Sequence, residues 1–83
     1  MTIDPIDVLQ EHLDGLLQEH EPSHPEVIET WTHLANLTGE RGDPRGAMRR
    51  FNELGHTLRE HLGPFDGKAL DAYEGMARWA AGG

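Results

Sequence analysis

Apolar residues recur three and four positions apart along most of this 83-residue chain. This is the spacing of an amphipathic α-helix, in which such residues form one stripe that faces the core. The first predicted helix starts at Pro5, behind Asp4 as its N-cap, and runs to about His20. Its apolar stripe consists of Ile6, Leu9, Leu13, Leu16 and Leu17. No segment shows the alternation of apolar and polar residues that a half-buried strand requires.

Proline and glycine mark where the helices begin and end. The order of an N-cap residue followed by proline occurs at Asp4-Pro5 and again at Asp43-Pro44, and proline is favoured at the first helical position because its missing N–H is not needed there. Gly42 and Gly63 stand where helices end. The other predicted helices run from Pro25 to near Arg41, from Pro44 to about Leu62, and from Asp66 or Gly67 to about Ala80. The sequence therefore predicts an all-α fold of four helices in antiparallel hairpins, with residues 1–83 as a single domain.

A longer period relates the two halves of the chain. Residues 42 positions apart match in type, and the matching pairs are Ile28 and Leu70, Trp31 and Tyr73, Leu34 and Met76, and Ala35 and Ala77. The first helix fits the same period, because Leu9 then falls opposite Phe51. The chain therefore has the pattern of one full repeat flanked by two half repeats.

The same period predicts the core. Large apolar residues fill the space between helices, and small residues stand where two backbones approach closely. The residues expected to be largely buried are Trp31, Leu34, Ala35, Ala47, Phe51, Leu54, Leu58, Tyr73, Met76 and Ala77.

Residues 24–62 have the residue spacing of the tetratricopeptide signature, carried by Trp31, Leu34, Ala35, Ala47 and Phe51. About residues 24–80 resemble, more specifically, the long tetratricopeptide repeats of kinesin light chains and actinobacterial multi-domain regulators. The strings that match are His24-Pro25, Gly42-Asp43-Pro44 and Leu62-Gly63-Pro64. Two departures are Thr38 in place of an aromatic residue, and Phe65-Asp66-Gly67 at the start of the second unit. The resemblance implies a non-catalytic adaptor or regulator that binds another protein, whereas the simpler alternative is any helical hairpin with an apolar stripe.

By this resemblance, a partner peptide would bind on the inner face of the second and fourth helices. The residues expected to contact it are Glu29, Thr32, Asn36, Asp71, Glu74 and Arg78. The Asn36 amide both donates and accepts hydrogen bonds, which suits a peptide backbone. The three carboxylates, with Arg78 as their only nearby counter-charge, favour a neutral or basic segment. The alternative is that this face is merely solvated or is used in dimerisation.

Composition narrows the range of partners. Fifteen acidic against seven basic residues give a net charge of −8, so nucleic acid and anionic membrane surfaces are unlikely partners. The chain has no cysteine, which excludes disulfides and thiolate metal sites. No apolar run is long enough to cross a bilayer, and the acidic start of the chain is unlike a signal peptide. We therefore expect a cytoplasmic bacterial protein.

Six histidines raise the question of a metal or catalytic site. His20 and His24 have the four-residue spacing of helical zinc ligands, but Pro22 between them prevents one helix from carrying both. We expect no metal, no cofactor and no enzymatic activity. The alternative function is a histidine phosphotransfer four-helix bundle with His33 as the acceptor. That site lacks a lysine to neutralise phosphate, and Glu29 nearby would repel it.

Four helices leave open how the outer faces are covered. They either close into a compact bundle or leave an apolar face for another copy or a partner protein, because a repeat array normally needs about three units to bury its ends. We expect a homodimer with Trp79 or the face of the first helix near the contact.

Overall fold

The computed structural model describes residues 3–82 of the chain. It consists of the helices α1 (Pro5–Glu19), α2 (Pro25–Glu40), α3 (Pro44–Leu62) and α4 (Gly67–Ala80). Residues 3–82 contain no strand. The predicted all-α class and the helix limits, each within one residue, are confirmed.

Each helix begins at a side chain that accepts a hydrogen bond from the backbone of its first turn. Asp4, Asp43 and Asp66 do this with a carboxylate oxygen, at 2.8–2.9 Å. At α2 the cap is His24, whose Nδ1 accepts from the Glu26 N–H at 3.2 Å. An imidazole nitrogen accepts a hydrogen bond only while it is unprotonated. The local chemistry of the sequence thus fixes where all four helices start.

Each helix packs mainly against its neighbour in sequence, so that α1 lies on α2, α2 on α3 and α3 on α4. No comparable contact joins α1 to α4 within residues 3–82. The Cα atoms span 43 × 34 × 14 Å. The smallest dimension is about that of two stacked helices, since helix axes lie roughly 8–10 Å apart and Cα atoms about 2.3 Å from each axis. The four helices therefore form an open, flat array and do not close into a bundle.

Two groups of buried side chains form the core, and Trp31 joins them. One group lies between α1 and α2 and consists of Leu13, Leu16, Val27 and Leu34. The other lies between α3 and α4 and consists of Leu54, Leu58, Ala69 and Ala72. Trp31 packs against both groups, and its indole N–H donates a hydrogen bond to the Arg50 carbonyl at 3.1 Å. Trp31, the first residue of the predicted signature, thus connects the two hairpins.

Most of the predicted core is buried, and one residue of it is not. Leu34, Ala35, Ala47, Phe51, Leu54 and Leu58 are 0–1 % exposed, while Trp31, Tyr73 and Met76 are half-buried. Ala77 is exposed, so its prediction is wrong. Its counterpart Ala35 shares a stripe of α2 with Trp31 and Thr38, which meet α3. No helix of residues 3–82 covers the corresponding side of α4.

Where α4 is covered, the helices approach closely. A Cβ placed on Gly75 of α4 would lie 2.6 Å from the Phe51 ring, and one on Gly55 of α3 would lie 2.9 Å from the Tyr73 ring. Gly39 of α2 meets the Trp79 ring in the same way, at 2.6 Å. Since real Cβ atoms do not come this close, these positions accept only glycine without a shift of the ring. Phe51, Tyr73 and Trp79 thus each pack directly on a glycine of a neighbouring helix.

Candidate functional site

Five of the six predicted contact residues line two neighbouring depressions on one side of the array. The larger, here the α1–α2 depression, has a volume of about 740 Å³ and includes Leu9, Glu29 and Asn36. The smaller, the α2–α4 depression, has a volume of about 180 Å³ and includes Asp71 and Arg78. Two residues of α2 line both depressions, and they are Ile28 and Thr32. The structure thus brings these predicted residues to one surface, with α2 as the ridge between its two parts.

Glu74 is the predicted residue that the structure places apart. It is exposed on α4 and lines neither depression. The sequence pattern put Glu74 on the same helical face as Asp71 and Arg78, but the depression runs along the side of α4 that meets α2.

Asn36 already has a structural partner. Its Oδ1 accepts a hydrogen bond from the Trp79 indole N–H at 3.1 Å, beside the Gly39 contact of the same ring. The side-chain oxygen therefore helps to hold α4 on α2, and the two N–H donors of the amide remain for a ligand. Trp79, which was expected near a dimer contact, is half-buried against its own chain.

The two depressions differ in charge. Glu29, His33 and Glu40 line the α1–α2 depression, while Lys68 and Arg78 flank Asp71 in the α2–α4 depression. The sequence-based expectation of Arg78 as the only counter-charge was therefore wrong. Lys68 was missed because it stands in the first turn of α4, and its position depends on the angle at which α4 crosses α2. The sequence pattern does not contain that angle.

His33 lies on the exposed face of α2, between two carboxylate residues of the same depression. Glu29 precedes it by one helical turn, and Glu40 follows it two turns later. A phosphoryl group on this ring would meet two negative charges and no basic side chain among the residues that line the depression. Together with the open arrangement of the helices, this geometry gives no support to the phosphotransfer alternative.

His20 and His24 come together, although no helix carries both. Their rings stack with centroids 4.2 Å apart and an interplanar angle of 24°, because the turn between α1 and α2 folds one over the other. Within residues 3–82, no group of three or more His, Cys, Asp or Glu side chains is placed to hold a metal ion. The helices of this same part of the chain are all too short or too polar to span a membrane.

The two depressions are related by the 42-residue period. Four side chains of the larger have a counterpart 42 positions later in the smaller, and the pairs are Leu9 and Phe51, Glu29 and Asp71, Thr30 and Ala72, and Asn36 and Arg78. Each depression thus lies over one hairpin at an equivalent place. The repeat that the sequence suggests therefore has a structural counterpart at the surface.

No protein-family model, no curated protein and no solved structure matches this chain. The resemblance to tetratricopeptide repeats consequently rests on the residue pattern, and the functional inference rests on the geometry of the two depressions.

Proposed function

We propose that this protein is a small non-catalytic interaction module of the tetratricopeptide type, which binds a short segment of another protein across α2. The observation that carries the proposal is the pair of neighbouring depressions that share Ile28 and Thr32. Together they form one groove that collects five of the six residues expected from the sequence to contact a ligand. The cytoplasm is the location that we propose for it, on the strength of the cysteine-free, acidic composition.

The composition of the groove suits a peptide. Leu9 and Ile28, which are both half-buried, supply apolar surface, while Thr32 and the Asn36 amide supply polar groups. Binding sites commonly combine a mainly apolar lining with a few polar groups that fix orientation. An extended or helical segment with one or two apolar side chains matches this lining.

The charges suggest how such a segment lies. Glu29 and Glu40 give the α1–α2 depression a negative potential, whereas Lys68 and Arg78 make the α2–α4 depression locally less so. Several like charges along one cleft steer oppositely charged ligands. We therefore place the basic residues of the ligand over the α1–α2 depression and its neutral part over the α2–α4 depression.

The test is a set of short peptides that carry Lys or Arg at one end, with binding followed by fluorescence anisotropy at several salt concentrations. Glu29→Lys together with Glu40→Lys should weaken a basic peptide roughly tenfold at low salt, because each exposed charge pair is worth up to about 1 kcal/mol. Glu19→Lys together with Glu60→Lys makes the same charge change at exposed positions outside the groove and serves as the matched control. The weakening should fade as salt screens the charges.

A second comparison tests Glu74, which the sequence pattern placed among the contact residues. Glu29→Lys together with Glu74→Lys should weaken binding no more than Glu29→Lys alone, if the groove is the site. Equal binding of basic and acidic peptides, or of wild type and the Glu29→Lys/Glu40→Lys variant, would remove the groove as the site of binding.

A further inference from the structure

The two equivalent depressions differ in one respect that points to a second partner. On the side opposite α4, the α2–α4 depression is closed by Ile28 and Thr32 of α2. The α1–α2 depression has no helix at the corresponding place within residues 3–82, which accounts for its larger volume of about 740 Å³ against about 180 Å³. A helix that presented the counterparts of Ile28 and Thr32 would complete it.

Those counterparts exist in the chain itself. Forty-two residues beyond Ile28 and Thr32 stand Leu70 and Glu74, on α4. Leu70 is 49 % exposed and Glu74 is exposed, so neither is committed to the core of its own copy. We propose that α4 of a second copy closes the open side of the α1–α2 depression and leaves the groove itself free, so that copies of this protein associate head to tail. The proposal rests on the repeat arrangement in the proposed function, but not on peptide binding.

The seam between α2 and α3 shows how α4 of one copy would meet α1 of the next. There the Trp31 indole contacts the Arg50 carbonyl, and Thr38 lies against Gly46. The 42-residue counterparts of these pairs are Tyr73 and Val8, and Ala80 and Asp4; the buried Ala35 and Ala47 correspond to Ala77 and Pro5.

The counterparts are open to solvent in a single copy. Val8 is 49 % exposed, and Pro5, Ala77 and Ala80 are exposed as well. Tyr73 is half-buried. Each end of the array thus presents one half of a seam that is already formed once inside the chain.

The distribution of charge agrees with such a contact. The remaining surface of α1 is acidic, with Asp7, Glu11, Asp14 and Glu19 all exposed. Among the six counterpart residues of the proposed seam, only Asp4 carries a charge, and its carboxylate is paired with Arg41 at 3.1 Å. Five of the six seam residues are thus uncharged in a chain with 15 acidic residues, and depletion of charge is typical of the core of an interface.

The contact is heterologous, because two different surfaces meet. Val8→Arg should block one of them and Ala77→Arg the other, since each puts a charged side chain at an exposed position of the proposed seam. Asn52→Arg on the exposed surface of α3 adds the same charge elsewhere and is the matched control. By sedimentation velocity, wild type and Asn52→Arg should grow beyond the 9.3 kDa single chain with rising concentration, and each seam variant alone should stay monomeric.

Mixing the two seam variants provides the decisive result. Each retains one intact surface, so an equimolar mixture should form a pair of about twice 9.3 kDa and nothing longer. A mixture that stays monomeric, a wild type that is monomeric at millimolar concentration, or a Val8→Arg variant that still associates through α4 alone would each overturn the proposal. Circular dichroism confirms that both variants are folded.

Salt separates this proposal from peptide binding. Glu74 of one copy would stand near Glu29 of the next, as Thr32 stands near Asp71. Screening of that repulsion should tighten self-association as salt increases, whereas the binding of a basic peptide should weaken. Failure of head-to-tail assembly therefore leaves the peptide result intact, and failure of peptide binding leaves the assembly result intact.

Discussion

The α1–α2 hairpin and the α3–α4 hairpin hold their helices together by different contacts. In the first, Leu13 and Leu16 pack on Val27 and Leu34 without aromatic rings of α1. Gly15 has no atom within 4 Å of the place where a Cβ would lie. In the second, the Phe51 ring lies on Gly75 and the Tyr73 ring lies on Gly55. The first seam is aliphatic and leaves room for an added methyl group at Gly15. The second is a close fit between aromatic rings and glycine backbone.

Two polar contacts also connect α1 to the rest of the molecule. The Arg41 guanidinium pairs with the Asp4 carboxylate at 3.1 Å, and Arg50 donates to the Gln10 side-chain oxygen at 2.8 Å. Both reach from a later helix back to the start of α1. Since exposed pairs contribute little, α1 should be the least firmly held of the four helices.

The largest expected effect tests the close fit. Phe51→Ala should cost about 3–5 kcal/mol, because a fully buried ring is lost and the surrounding helices relax only partly. Its counterpart Leu9 is half-buried, so Leu9→Ala should cost about half as much. Urea denaturation followed by circular dichroism measures both. A Phe51→Ala variant that unfolds cooperatively near the wild-type midpoint would contradict the assigned core.

The next test makes one substitution at two glycines. Gly75→Ala should destabilise the protein by about 1–3 kcal/mol, because the new methyl group displaces the Phe51 ring. Gly15→Ala should instead stabilise it by about 0.5–1 kcal/mol, since alanine is the better helix former and the space is open. Thermal melts of the two variants should move in opposite directions. A shift of the same sign in both would show that the hairpins do not differ in this way.

A smaller effect compares two half-buried polar contacts, one between α2 and α4 and one between α1 and α3. Asn36→Ala leaves the Trp79 indole N–H without its acceptor and should cost about 1–1.5 kcal/mol, because the ring is fixed on Gly39 and cannot turn to another partner. Gln10→Ala removes the acceptor of Arg50 and should cost less than about 0.5 kcal/mol, because the long arginine side chain can turn to water. Tryptophan fluorescence of the Asn36→Ala variant reports whether Trp79 has become more exposed. Equal losses in the two variants would mean that α1 is held as firmly as α4.

The smallest effect is expected for the Asp4–Arg41 pair. Asp4→Ala loses a helix cap and should cost about 1 kcal/mol on that account alone. A double-mutant cycle with Arg41→Ala isolates the pair, for which we expect about 0.2–1 kcal/mol, less at high salt. A coupling energy well above this range would show that the polar contact, and not the aliphatic seam, secures α1.

The helix limits could be predicted because they depend on local chemistry. The Asp43 carboxylate accepts from a backbone N–H three residues later, and Gly42 adopts the positive φ that follows a helix end. The core of α2 and α3 followed from periodicity alone, since both helices are covered on two sides. Ala77 was wrong because the period describes a residue's place on its helix and not whether a neighbour is present.

The site depended on features that no local pattern contains. Lys68 and the Asn36–Trp79 hydrogen bond arise where α4 crosses α2, and the angle of that crossing is set by rings on glycines. Serine is the more usual capping residue, and only the geometry shows that His24, not Ser23, caps α2. Glu29 and Asp71 were predicted correctly because the 42-residue period carries them to equivalent places, whereas the same period failed for Thr32 and its counterpart Glu74.

The thin, open shape of the array has a consequence for how such a protein can change in length. Each helix contacts chiefly its neighbours in sequence. The free energy of unfolding is then approximately the sum of the stabilities of the single units and of the contacts between adjacent units. Insertion or loss of a whole 42-residue segment, such as Ile28 to Ala69, would then alter one seam and leave every other unchanged. Gene duplication could lengthen or shorten this body without any redesign of a central core.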